Sequence, residues 1–414
     1  MRRVVVIGGG PAGMMAAGTA AENGADVILF EKNEKLGKKL HITGKGRCNL
    51  TNNTDVAGLL EHTLTNPRFL NSSFYNMDSQ ALMQFFESRN TPLKTERGGR
   101  VFPVSDKADD INKALAGYMR EFNVKVRLKT AVQKIDVEGN LFKIYADNRD
   151  VFEADAVIIA TGGLSYPATG STGSGYIFAK SLGHDITPTF PALVPIITAE
   201  TWVSALEGLS LKNVRCTAKA ASGKVIYEET GEMLFTRNGV TGPIILRASA
   251  FLVGHLECAN AQNNPTISID LKPALSPEQL DNRILRDFAE SQNKNFANAL
   301  DDLLPKRLIE TIITLSKISP ETKVNNITRH QRQTLVTLLK NLPLTPTATT
   351  GYKEAVITKG GVNVKEINPS TLMSKKQKSL FFAGEVLDVD AMTGGYNLQI
   401  AFSTGRLAGQ NAAK

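Results

Sequence analysis

One stretch near the N-terminus limits what this chain can fold into more than any other. Residues 4–32 read VVVIGGGPAGMMAAGTAAENGADVILFEK: an apolar run, three consecutive glycines, a run of small residues, and a second apolar run closed by an acid. Residues 3–7 have the texture of a buried strand, 11–23 of a helix and 26–30 of a second strand. The spacing Gly8-x-Gly10-x-x-Gly13 falls at the strand-to-helix turn, the context in which it carries meaning. Gly8 permits the tight turn, Gly10 lets a pyrophosphate approach the backbone, and Gly13 lets helix and strand pack closely; Pro11 and Ala12 lie between them. The helix N-terminus offers free N–H groups and partial positive charge to phosphate. Glu31, followed by Lys32, ends the second strand, where a carboxylate can accept both ribose hydroxyls of an adenosine. Together these features predict an adenine dinucleotide site.

The length, 414 residues, suggests two or three domains. With 42% hydrophobic and 21% charged residues, a packed core is expected rather than disorder. No apolar run approaches the ~20 residues of a membrane span, and Gly8 to Gly10 break the first apolar run too early for a signal peptide. Cys48, Cys216 and Cys258 are scattered without a CxxC pair. That argues against a disulfide scaffold, a zinc or other metal site, or a dithiol centre, and for a reducing cytoplasm. The net charge of +8 fits attraction of anionic cofactors and substrates, or binding to nucleic acid or a membrane surface. No basic block exceeds Lys35 to Leu40, and aromatic and basic residues are not interleaved. A small-molecule substrate is therefore the expected partner, rather than nucleic acid or a membrane; a homodimer stays open.

The first third alternates strand and helix patterns, which predicts βαβ units and a parallel sheet. Ile111, Leu115, Met119 and Phe122 share one helical face within 106–122. Short strands follow at 124–128, 141–146 and 156–161, and 124–153 reads as an inserted β-meander. From Pro191 the pattern turns mainly β, with a Ser-Gly turn at 222–223. Ser276-Pro277-Glu278-Gln279 is a capping box with proline at the first helical position, and Thr328 to Gln331 is a second box. Three or four helices are expected over 276–341. Residues 341–353 read as a Pro/Thr-rich linker, 379–387 as a return to a buried strand, and 397–412 as a final helix. The predicted fold is α/β: a first dinucleotide-domain segment at 1–190, a β module at 191–275, a helical module at 276–343, and a return through a linker to the first domain at 344–414.

Three more segments extend the ligand site. TGKGRCNLTN (43–52) is too rich in hydrogen-bonding groups for a plain connector. Arg47 and Asn49 could contact pyrophosphate or polar ring edges. Cys48 is expected to pack as a small residue, since nothing nearby marks a base for a nucleophile. In 157–176 a strand ends at Ala160-Thr161-Gly162-Gly163, and a helix starts near Gly173. In 381–409 a strand ends at Gly384-Glu385, Asp388 follows, and Gly394-Gly395 precede a helix starting near Asn397. A helix N-terminus aimed at a flavin pyrimidine ring would stabilise its charge on reduction. Glycine-rich strand ends spread over the whole chain suit one long ligand, FAD, better than NAD.

VVVIGGGPAG, KLGKKLHITGKGRCNLTN, GRVFPVSDKA, VIIATGGLSYPATGSTGSGY, MLFTRNGVTGPIIL and GEVLDVDAMTGGYNLQIAFSTG together resemble the bacterial HI0933-like flavoproteins, the aminoacetone oxidase or bile-acid-reductase-like family of FAD enzymes. The resemblance covers nearly the whole chain. It implies a glutathione-reductase-like FAD-binding Rossmann domain in two sequence segments, interrupted by a β-barrel-like module and a helical module, with FAD held tightly but not covalently. By resemblance Glu31 holds the adenosine ribose, Val132 gives backbone contacts to adenine, and Arg47, Cys48, Asn49 and Thr51 line the flavin side. Thr161, Gly162, Gly163 and Tyr166 form the middle crossing, Glu385 binds the ribityl chain, and Gly395, Asn397 and Leu398 meet the isoalloxazine. Ser174 and Ala391 depart from the residues usual there, Asp and Gly.

The flavin would carry the chemistry, and the protein must place the substrate and manage one proton. No second GxGxxG is present, so NAD(P)H would dock transiently as donor. Two family activities stay open: reduction of a C=C bond conjugated to a ketone, as in steroid or bile-acid intermediates, and oxidation of a small amine such as aminoacetone by O₂. The chain is only 7% aromatic, with Trp202 its one tryptophan, so an aromatic amine cage is weakly supported and the reductase is preferred. Tyr166, Tyr396 and His41 are candidate proton donors by type. A flavin-dependent enzyme acting on tRNA or other nucleic acid is the alternative from another class.

Overall fold

The computed structural model describes residues 1–147, 150–257 and 264–414; Cys258 lies outside them. The chain divides into one unit of 1–191 with 352–414, and a second of 192–351.

The first unit is built on a five-stranded parallel sheet. β1 (Arg3–Ile7) lies between β2 (Asp26–Phe30) and the strand Ala156–Ile159; Lys125–Arg127 and Leu380–Phe382 form the edges. Helices cover such a sheet, so its central strands are apolar on both faces; Val4, Val5, Val6, Val157, Ile158 and Ile159 are all buried. α1 (Pro11–Glu22) starts on a proline, and Ala12 to Ala21 are all buried. A helix hydrophobic all round belongs in a core, and α1 packs on the C-terminal helix Tyr396–Ala412 and on Ala108–Glu121. Ile111, Leu115 and Met119 are buried on the inner face of that last helix, as their spacing predicts. The meander is smaller than the sequence suggests. Val132–Glu138, Leu141–Ala146 and Val151–Ala154 form it, while Lys125–Arg127 pairs in parallel with β2. That strand is three residues long, and only its partner could reveal which sheet it joins.

The second unit carries a seven-stranded antiparallel sheet. Its longest strands, Ser210–Lys219 and Val225–Thr236, make the hairpin expected around Ser222-Gly223. Both capping boxes form, at Ser276 and Thr328, and start the helices Pro277–Ala289 and Arg329–Lys340. Strand and helix side chains share one apolar cluster that includes Phe235, Ile244, Ile284, Ile312 and Leu339, so the β-rich and helical stretches bury one core between them. The stretch read as a linker is instead two strands, Leu342–Leu344 and Pro346–Thr349, which form the two edges of this sheet. Proline is tolerated at an edge because no ladder hydrogen bond is needed from its nitrogen.

A buried histidine makes the first unit sensitive to acid. His184 has a side chain 0% exposed, with Nε2 2.8 Å from Ser374 Oγ and Nδ1 3.1 Å from Glu366 Oε2. Ser374 Oγ already accepts the amides of Lys376 and Gln377, so its O–H is left for Nε2 and the ring donates Nδ1–H to Glu366. Burial lowers the histidine pKa and outweighs the opposing pull of Glu366. Burial would raise Glu366, but the Lys376 ammonium and the Asp185 amide prevail and hold it at about 2. In both cases the unfolded chain takes up a proton that the native protein refuses. Stability is therefore expected to fall as pH drops below about 6.5, and again below about 4.5. Thermal melts of His184→Asn should lose the upper limb of that decline and keep the lower one; an unchanged upper limb would refute the assignment.

Candidate functional site

At the head of the parallel sheet, β1 runs into Gly8, whose N–H bonds the Phe30 carbonyl at 2.9 Å. Gly13 is required by close approach: a Cβ there would lie 1.8 Å from the Gly8 carbonyl oxygen. Gly10 caps α1 with extended backbone, and a Cβ on it would meet no protein atom within 4 Å. Its face is thus open beside the unbonded amides of the first helical turn. Glu31 is buried and already engaged. Oε2 accepts the Gly9 amide at 2.7 Å, and Oε1 accepts the amide and side chain of Asn33 at 2.8 and 2.7 Å. Oε1 thus carries two donors and Oε2 one, so Oε2 keeps lone-pair capacity for a hydroxyl. Asn33 also donates to the Thr169 carbonyl, and Lys32 to the Thr172 hydroxyl, so the acid end of β2 meets the third glycine-rich segment. Burial lowers the Lys32 pKa against the pull of Glu31. The chain entering Val132 runs alongside, with Thr130 N donating to the Glu31 carbonyl.

The middle segment turns at Gly162, which has φ +71°. A Cβ on Gly162 would lie 3.8 Å from Glu385 Oε2, and one on Gly163 would lie 2.5 Å from Thr358 Oγ1. Tyr166 sits in left-handed backbone, bonded through its amide to the Tyr352 carbonyl. Glu385 is the hub. Its Oε1 accepts Ser165 Oγ at 2.7 Å and Thr358 N at 2.8 Å, and its Oε2 lies 2.9 Å from Lys39 Nζ. The last segment closes on the second one. A Cβ at Gly395, just before the C-terminal helix, would lie 2.3 Å from the Thr51 carbonyl. Thr51 donates its hydroxyl to Gln399, and Asn397 clamps Ala391 and Met392 through both ends of its amide. Leu398 is half-buried against the core. All four glycine-rich segments thus converge at one end of the sheet.

Arg47 is turned elsewhere. It bonds Glu96, donates Nε to Asp106 at 2.7 Å, and lies 4.1 Å over the Phe102 ring. Lys94 joins the same cluster through Asp106. Cys48 is wholly buried, and burial pushes its thiol up to about 12 against a hydrogen bond with Thr43. The thiolate is absent at neutral pH, which fits packing and not nucleophilic attack. Cys48→Ala is expected to keep turnover within a few-fold, and native protein should resist iodoacetamide at this thiol; a complete loss of activity would show a chemical role. Asn49 has a buried Oδ1 with no partner. His41 lies near the Asp109 carboxylate, on the first turn of the helix Ala108–Glu121. Tyr396 is buried and stacked on His62, with centroids 4.4 Å apart.

Three relevant side chains escape a sequence reading: Lys39, His62 and Asp390. Asp390 is 1% exposed, pairs across a two-residue ladder with Thr65, and has neither carboxyl oxygen in a hydrogen bond. Burial raises its pKa against smaller pulls from Thr65 and Lys359, and Asp388 adds the least, in the same direction as burial. Asp388 is raised by burial too, although Asn66 and Thr187 oppose it. No sequence pattern separates Asp390 from a surface acid; its strand pairs with Thr65, remote in the chain.

The arrangement fits an extended dinucleotide. The open Gly10 face, the unpartnered Asn49 acceptor and the cation–carboxylate hub at Glu385 lie on segments that meet at one sheet edge, the position expected for ligands in such folds. The family model for the HI0933-like protein Rossmann domain matches residues 2–411. The chain belongs to the HI0933-like family. It is 33% identical over the full length of both chains to a 3-dehydro-bile acid delta(4,6)-reductase of Clostridium scindens. It is 30% identical to a ribosomal RNA dihydrouridine synthase of Haemophilus influenzae, covering 97% of this chain and 96% of that one. Among solved structures, a 3-ketosteroid-delta4-(5alpha)-dehydrogenase of Rhodococcus jostii aligns with TM-score 0.53 at 15% identity, covering 100% of this chain and 97% of that one; the likeness is one of fold. The protein is a flavin-dependent oxidoreductase with a Rossmann-type parallel sheet. Among the described residues no helix is long and apolar enough to cross a membrane.

Proposed function

We propose that the protein is a FAD-dependent reductase of a carbon–carbon double bond conjugated to a carbonyl, drawing its electrons from NADH or NADPH. The observation that carries this reading is Asp390, a buried carboxyl whose pKa burial raises, on the segment between Glu385 and the Gly394–Gly395 turn. Bound flavin supplies the hydride for the carbon β to the carbonyl. The α carbon then needs one proton, and a neutral acid can give it. Oxidation of an amine needs a proton acceptor instead, so a carboxyl whose burial favours its protonated form supports reduction. Glu31, the Gly8–Gly13 turn and α1 would hold the adenosine and diphosphate end, and Glu385, Asn49 and the N-terminus of the last helix would hold the flavin end. Tyr396 on His62 forms an apolar wall beside Asp390's ladder.

The full-length relatives support this chemistry. A 3-oxo-4,6-diene and the C5=C6 bond of uridine are both conjugated to a carbonyl, so one site chemistry serves either. The second reading, reduction of uridine in RNA, is favoured by the charge of +8 and by the relatives named for it. The test is anaerobic stopped-flow of flavin-loaded protein. NADH or NADPH should bleach the flavin, and a 3-oxo-4-ene steroid or a uridine-containing RNA should restore its colour. Reduction by aminoacetone with no response to either nicotinamide would replace this reading by the oxidase. RNA turnover that falls steeply with salt, without steroid turnover, would select the second reading.

A further inference from the structure

The Lys39 ammonium joins three chain segments that are remote in sequence. It extends from the basic stretch after β2, donates to Ser165 Oγ at 2.7 Å, and lies 3.2 and 2.9 Å from the two oxygens of Glu385. Both members of the pair have side chains 21% exposed. Ser165 in turn donates to Glu385, and the Thr358 hydroxyl accepts the amides of Leu164 and Ser165. The hub is therefore a closed network with one cation, one carboxylate and fixed donors. In a partly desolvated network, removing one charge leaves the other uncompensated.

We infer that Lys39 is a positioning residue for the cofactor: it keeps Glu385 ionised and aimed, so that flavin retention depends on Lys39 through Glu385. Lys39 lies in the stretch KLGKKLHITGKGRCNLTN, where nothing marks it apart from Lys35 and Lys38. The inference rests on the cofactor and is independent of the substrate. Burial alone would raise the Glu385 pKa; the charge of Lys39, then its hydrogen bond and those of Ser165 and Thr358, outweigh burial and lower it. Tyr176 also faces Glu385, its own pKa raised by burial first and then by Glu385. With Lys39 gone, burial prevails and Glu385 takes up a proton nearer neutrality. A neutral carboxyl loses part of its capacity to accept from ligand hydroxyls.

The test is the FAD dissociation constant of the full chain, followed by flavin fluorescence from about pH 5 to about pH 8. Wild type and Lys39→Arg should be flat. Lys39→Met should weaken binding progressively as pH falls, approaching about tenfold per pH unit below the new Glu385 pKa. Glu385→Gln should bind weakly and flatly, and adding Lys39→Met to it should change nothing further. A flat, wild-type constant in Lys39→Met would overturn the inference, as would an acid limb that survives in the double variant. Should Lys39→Met not fold, Ser165→Ala, which removes one donor from the same carboxylate, is expected to show a milder acid limb, and its absence counts against the inference. A wild-type chain that takes up no flavin would instead overturn the cofactor assignment itself.

Discussion

Asp390→Asn is expected to slow reoxidation of the reduced flavin by an enone at least about 100-fold, the lower end of what a positioned general acid contributes. Reduction of the flavin by NAD(P)H should stay within a few-fold of wild type, because that half-reaction draws no proton from this carboxyl. The substitution keeps the shape and removes only the acidic proton, so folding should be little affected. The pH dependence gives a second readout. A neutral acid donates only below its pKa, and burial has raised that pKa, so the wild-type rate should fall as pH rises past it. The variant should lack this limb. If both half-reactions proceed in Asp390→Asn at wild-type rates, the proton comes from elsewhere, and Tyr396 beside His62 becomes the group to replace next.

Gly13→Ala and Gly10→Ala should have opposite consequences, although the two glycines are only three positions apart. A methyl on Gly13 would stand 1.8 Å from the Gly8 carbonyl oxygen. Backbone cannot give way as a flexible side chain can, so the strand, the turn or α1 must shift, at a cost of about 1–3 kcal/mol or more. That variant is expected to lose flavin and thermal stability together. Gly10 has extended backbone that any residue adopts, and a Cβ there meets no protein atom within 4 Å. Gly10→Ala should keep the melting temperature of the flavin-free protein while weakening FAD binding about tenfold or more, equivalent to ~1.4 kcal/mol or above. Thermal melts with and without FAD, beside a flavin titration, separate the two. Equal flavin affinity in Gly10→Ala and wild type would mean that no phosphate comes close to this turn.

Local signals were read successfully where the physics is local. The β1–α1–β2 unit, both capping boxes and the Ser222-Gly223 hairpin depend on residues a few positions apart, and each lies where its spacing places it. Lys125–Arg127 reads in sequence as part of the meander because three alternating residues carry no information about which sheet they join. Residues 342–349 looked like a linker because proline and threonine usually punctuate; an edge strand tolerates the same composition. At the site, the polar neighbourhood of Arg47 in sequence does not show its partners in space, Glu96, Asp106 and the Phe102 ring.

Sequence alone determined the dinucleotide turn, the acid at the end of β2 and the glycine-rich strand ends, because each depends on backbone conformation that neighbouring residues dictate. Tertiary structure alone decided which charges act. Lys39 meets Glu385 across 346 positions, and the strand of buried Asp390 pairs with Thr65 from the other end of the chain. The charge state of an acid depends on what lies within a few ångströms of it, and chain order does not record that distance.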